Sequence, residues 1–189
     1  MKKLFAIVFL LSFATFCIHA HGAGHNPFFG DYRHQAGLSL GTGVNDSYLV
    51  PPPTKPVPFS ELHAQYSVPS TLFYFPARFS MNITQTVGFG DKYGWDWPRY
   101  SIPILYLTQD LALLHGEKWY AGAGAGAGFQ LKKNDRISST FLFTFKVFAG
   151  YKFTERTSAE FYIKHFSNGT TTPENFSYGF YGLGITYNF

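Results

Sequence analysis

From Gln35 onward, apolar and polar residues alternate with a period of two in segment after segment. This is the pattern of a strand with one apolar and one polar face. Eight segments show it. The first, about Gln35–Asn45, sets Ala36, Leu38, Leu40 and Val44 against Gly37, Ser39, Gly41 and Gly43. The second, about Phe59–Val68, sets Leu62, Ala64, Tyr66 and Val68 against Glu61, His63, Gln65 and Ser67, and Pro69-Ser70 reads as the turn after it. The third starts at Phe73 and puts Arg78, Ser80, Asn82, Thr84 and Thr86 on its polar side. Ser101–Leu114 alternates as well, although Leu107–His115 can also be written as a turn of helix. Trp119–Leu131 opposes four alanines (Ala121, Ala123, Ala125, Ala127) to Gly122, Gly124, Gly126 and Gly128. Ser138–Phe153 is rich in phenylalanine, and Thr157–Ser167 and Phe176–Phe189 complete the set.

The connections sort into two kinds. Val50–Pro58 holds five prolines, which lack the donors a sheet requires. With Gly90–Arg99, Lys132–Arg136 and Asn168–Asn175 it makes four long polar loops, after strands one, three, five and seven. Short turns follow strands two, four and six. An arginine and an asparagine midway along a strand need a polar interior. Together these features predict an all-β fold, an eight-stranded antiparallel transmembrane β-barrel of the outer-membrane type. Short turns and both termini then lie on the periplasmic side, and the long loops lie outside. The glycines of the fifth strand leave lumen space for bulky neighbours, and a barrel this small is filled by side chains and is no pore.

Composition supports this reading. The chain is 20% aromatic with 19 glycines, and its mean hydropathy is near zero. No segment past residue 20 approaches the run of about 18–20 apolar residues that a helical span needs. Met1–Ala20 reads as a signal peptide, with Lys2 and Lys3, an apolar Leu4–Phe16 and a cleavage site at Ile18-His19-Ala20. This leaves residues 21–189 as the barrel in the bacterial outer membrane. Cleavage removes Cys17, the one cysteine, and takes two lysines from a formal charge of +4. The charge left is too small to indicate nucleic acid. His21–His34 reads as a loosely held periplasmic lead-in. Its histidines (His21, His25, His34) read as bystanders, and neither metal nor other cofactor is expected.

Candidate chemistry sits at the end of the seventh strand. His165 and Ser167 continue the lipid-facing parity of Ala159, Phe161 and Ile163. Residues two apart on a strand lie about 6.6–7 Å apart at Cα, within reach of an imidazole–hydroxyl hydrogen bond. An adjacent base is what a serine needs to become a nucleophile. A third group should hold the imidazole, and Glu174 is the nearest acid free to reach back, since Glu160 has lumen parity. Asn168 or Asn175 could present an amide to an oxyanion. A His-x-Ser pair is equally what a polar girdle at a strand end looks like. Its position against outer-leaflet lipid is what favours ester chemistry.

His165-Phe-Ser-Asn-Gly169, followed by Pro173 and Asn175, is similar to the His-Tyr-Ser-Asn…Pro-Asn signature of the PagL-type lipid A 3-O-deacylases. Trp119–Phe189 resembles that family's C-terminal half, whereas the N-terminal half matches only as a barrel. The resemblance implies a metal-independent serine esterase (a carboxylic ester hydrolase) that removes the 3-O-linked acyl chain of lipid A. It implies Ser167 as nucleophile, His165 as general base and Asn168 or Asn175 at the oxyanion. The family's glutamate follows a longer loop, so Glu174, nine residues past His165, departs from the pattern. Lys132, Lys133 and Arg136, with Lys92 and Arg99, fall on the outer rim, where they could meet lipid A phosphates; ordinary solvated loop charges are an equal reading. The expected partners are lipopolysaccharide and outer-membrane lipids, not nucleic acid, with a homodimer left open. The rivals are a non-catalytic structural barrel or adhesin, and an acyltransferase, which the outward parity of the pair disfavours.

Overall fold

The structure, a computed structural model, describes residues 26–44, 59–88, 101–132, 137–169, 171–172 and 177–189. The proposed signal peptide lies outside these residues. The strands are β1 (Gln35–Val44), β2 (Phe59–Leu72), β3 (Phe75–Gly88), β4 (Ser101–His115), β5 (Trp119–Gln130), β6 (Phe141–Lys152), β7 (Thr157–Ser167) and β8 (Tyr178–Asn188). Each pairs antiparallel with the next, and β1 pairs with β8, which closes the barrel. Closure satisfies every strand on both sides, as a hydrocarbon surrounding demands.

The alternation read from the sequence is the alternation of the wall. Leu38, Leu40, Met81, Ile83, Phe145, Leu183 and Ile185 are exposed on the outer surface, while Ser80, Asn82, Thr84, Thr144, Lys146 and Lys164 are buried inside. β4 is a strand throughout, which settles its helix ambiguity. A bulge between Ala112 and Leu114 shifts its register, and Leu113 and Leu114 are both exposed.

The lumen is filled in three layers. Toward the longer connections, Phe59, Ile102, Ile104, Tyr106, Ile137, Leu142, Phe166, Tyr178 and Phe180 form an apolar cap. At the opposite end Phe28, Phe29, Ala112, Tyr120, Phe148 and Tyr162 form another. Between them lie buried charges. The Arg78 guanidinium bonds Asp110 at 2.9 Å and both oxygens of Glu160 at 2.8 and 2.7 Å. Lys146 reaches Asp110 at 2.7 Å, and Lys164 pairs with Glu61 at 2.9 Å. Three acids and three bases thus neutralise one another, which is the condition for keeping charges out of water.

Two expectations need correction. The lead-in is not loosely held over its described part, because Phe28 and Phe29 are fully buried in the lumen. Asn188 Nδ2 donates to both of their carbonyls, Asn26 Nδ2 donates to Ala77 O, and the Phe28 ring lies 4.6 Å from the Arg78 guanidinium carbon. A barrel mouth with unfilled apolar volume takes up the nearest aromatics. His34 is also engaged, its ring stacked on Tyr66 and Phe189; His21 and His25 lie outside the described residues. The β2–β3 turn is Phe73-Tyr74, not Pro69-Ser70, with Leu72 opposite Phe75. Both turn residues are left-handed, at φ 50° and 68°, as a two-residue hairpin requires. Pro69 lies within β2, beyond the point where β1 ends opposite Ser67, and an edge position tolerates proline.

The inward glycines do leave room. A Cβ on Gly128 would overlap Tyr106, one on Gly124 would overlap Asp110, and one on Gly150 would overlap the Tyr120 ring. Gly150→Ala is therefore expected to push Tyr120 off its site and to destabilise the barrel by about 1–3 kcal/mol. A lowered urea midpoint for unfolding from detergent micelles is the measurement. An unchanged midpoint would show that the cap can repack.

Candidate active site

On β7 the inward set Ser158, Glu160, Tyr162, Lys164 and Phe166 is buried, whereas Phe161 and Ile163 face outward and are exposed. His165 and Ser167 follow on that outer parity, partly exposed. They stand where β7 gives way to one of the longer connections. His165 lies opposite Phe145 of β6 and Gly179 of β8, and Ser167 lies opposite Phe143. The pair therefore has phenyl rings along one side and a residue without a side chain on the other. Phe143 continues into an aromatic row, edge-on to Phe141 at 5.0 Å, with Phe141 edge-on to Phe129 at 5.5 Å.

Past Ser167 the chain turns inward. Asn168 is fully buried, and its Nδ2 donates to Thr172 Oγ1 at 2.6 Å. Thr171 donates from both N and Oγ1 to the Asn168 carbonyl, at 3.2 and 2.8 Å. Ser138, from the β5–β6 connection, donates to the same Thr172 Oγ1 at 2.8 Å. Gly169 is left-handed at φ +60°, and a Cβ there would press on the Phe143 ring at 3.0 Å, so glycine is required on both counts.

Of the residues singled out in the sequence, His165 and Ser167 lie on the outer face at the end of β7, and Asn168 is buried behind them. Lys132 is exposed just past the end of β5. Glu174, Asn175, Lys133 and Arg136 lie outside the described residues. Glu160 faces the lumen, bonded to Arg78, as its parity predicts. Ser138 and Thr172 carried no signal of their own, because a polar residue in a polar loop is unremarkable until a partner is known. Among the described residues, no three His, Cys, Asp or Glu side chains gather as metal ligands would.

A second serine–histidine contact lies inside the barrel. His63 Nδ1 is 2.9 Å from Ser39 Oγ, and Nε2 is 3.0 Å from Asn82 Oδ1. An amide oxygen only accepts, so Nε2 carries the proton and Nδ1 accepts from the serine. The hydrogen bonding is that of a triad, but all three residues are buried between the apolar caps. The adjoining cavity has room for about one water and none for an acyl chain. Ser39, His63 and Asn82 are lumen packing.

Comparison with known proteins bears on the fold and the family. The barrel resembles the crystal structure of Neisserial surface protein A, with a TM-score of 0.55 and 11% identity over 84% of this chain and 97% of that one. It also resembles the crystal structure of the outer membrane enzyme PagL, with a TM-score of 0.52 and 14% identity over 81% of this chain and 99% of that one. These likenesses establish the fold. No individual curated protein matches the sequence. A family profile does match, that of lipid A 3-O-deacylase (PagL), over residues 61–188, which is more than half of the chain and includes all of β7 and the turn after it. The chain belongs to the lipid A 3-O-deacylase (PagL) family.

Proposed function

We propose that this protein is an outer-membrane serine esterase that hydrolyses the 3-O-linked acyl chain of lipid A. The observation that carries the proposal is the outward placement of His165 and Ser167 at one end of the barrel wall. A hydroxyl and an imidazole facing hydrocarbon gain nothing from it, whereas a lipid ester held at that depth meets both. In the reaction, His165 takes the proton of Ser167 as its Oγ attacks the acyl carbonyl. The tetrahedral oxyanion collapses, and the sugar hydroxyl leaves with the proton from His165. Water, deprotonated in turn by His165, attacks the acyl-serine and frees the fatty acid. Glu174 is the proposed acid that orients the imidazole, Asn168 or Asn175 the oxyanion donor, and Lys132, Lys133 and Arg136 the contacts to lipid A phosphates. Residues 1–20 serve as the export signal.

Mass spectrometry of lipid A from cells with and without the protein tests the reading. The expected product is lipid A lighter by one 3-linked chain, together with free 3-hydroxy fatty acid. A heavier lipid A would indicate an acyltransferase, and unchanged lipid A would leave a structural barrel or adhesin.

A further inference from the structure

Resting on that reading of the site, we propose that Thr172 is a positioning residue: together with Ser138 it clamps the Asn168 carboxamide next to the nucleophile and fastens the β5–β6 connection to the serine-bearing turn. The clamp is short and interior. Thr172 Oγ1 accepts from Asn168 Nδ2 at 2.6 Å and from Ser138 Oγ at 2.8 Å. Asn168 is fully buried, and Ser138 and Thr172 are half-buried. Asn168 Nδ2 also lies 3.4 Å from Thr172 O, so the carboxamide is tied to both the side chain and the backbone of Thr172. A nucleophile whose backbone is fixed before the reaction begins needs no reordering to meet the acyl carbonyl. Asn168 follows Ser167 directly, so holding its side chain and its carbonyl, which accepts from Thr171, also holds the backbone that carries the nucleophile. The turn also passes close to the aromatic row, since a Cβ on Gly169 would meet the Phe143 ring at 3.0 Å.

The second half of the clamp reaches across the sheet. Ser138 belongs to the connection that begins with Lys132 and returns at β6. Gln130 Nε2 secures that connection by donating to the carbonyls of Ile137 and Ser139 at 2.8 and 2.5 Å.

The test uses the full mature protein in detergent micelles with purified lipid A. Thr172→Val keeps the shape and removes the hydroxyl. It is expected to lower kcat by about 10- to 100-fold with KM changed by no more than about twofold, as when the nucleophile loses its positioning while substrate binding is intact. Thr172→Ser, which restores the hydroxyl, is expected to recover most of the rate. Heat-modifiable gel mobility reports whether the barrel has formed; should Thr172→Val fail to form, Ser138→Ala is read for the same loss of kcat at constant KM. A kcat for Thr172→Val within about twofold of the parent, or a Thr172→Ser variant as slow as Thr172→Val, overturns the clamp. Ser167→Ala in the same assay separates the two layers of inference: full activity there removes the active site itself, whereas an inactive Ser167→Ala beside an unaffected Thr172→Val removes only the clamp.

Discussion

Ser167→Ala is expected to lower lipid A deacylation by on the order of 10⁴-fold or more while the barrel forms normally. The hydroxyl is on the outer wall with its neighbours Phe143 and Phe145, so removing it opens no cavity in the lumen and leaves no buried charge. His165→Ala is expected to fall to a similar floor. The double variant should be little worse than either single one, because a nucleophile without its base and a base without its nucleophile fail at the same step. Ser39→Ala is the control. It removes the serine of the enclosed contact with His63, and the deacylation rate should stay within about twofold, since no substrate reaches that hydroxyl. Rates on lipid A, with heat-modifiable mobility as the folding check, decide the matter. A Ser167→Ala protein that retains its rate, or a Ser39→Ala protein that loses it while folded, would move the chemistry elsewhere.

The largest effect on stability is expected from Arg78→Met. Arg78 is fully buried and bonds Asp110, Glu160 and Gln35, the last at 3.1 Å. Without it, Asp110 and Glu160 share one cation among the described residues, Lys146, 2.7 and 3.6 Å away, and one buried negative charge loses its counter-charge. Breaking one side of an interior ion pair costs about 3–5 kcal/mol, because the desolvated partner remains. The lost stacking on Phe28 adds to this. The measurement is the urea midpoint for unfolding from lipid vesicles or micelles. A fall of less than about 1 kcal/mol would mean that the remaining charges re-pair or take up water.

The wall of this barrel was legible because lipid and lumen impose opposite chemistry on adjacent residues. Met81 and Ile83 against Asn82 and Thr84 can be sorted without any knowledge of the neighbouring strands, and so can the outward direction of His165 and Ser167. Contents that depend on register could not be read this way. His63 finds Ser39 and Asn82 at sequence separations of 24 and 19, and Ser138 finds Thr172 at 34; only strand pairing decides such meetings. The Phe73-Tyr74 turn was hidden for a local reason. Left-handed pairs are normally announced by Asn or Gly, and here two aromatics adopt that conformation beside a Pro-Ser that reads as the better signal. The Phe28-Phe29 plug escaped because nothing in a short aromatic stretch shows that a cavity awaits it.

Because β1 and β8 are paired over ten positions, the sheet has no seam at which another chain could add a strand. A second copy that approaches within the bilayer meets the outward belt of Leu, Ile, Phe and Tyr side chains, and there it displaces acyl tails as apolar as itself. Hydrophobic gain between such belts is close to nil, so any contact made there rests on close packing of side chains and on released lipid rather than on burial from water.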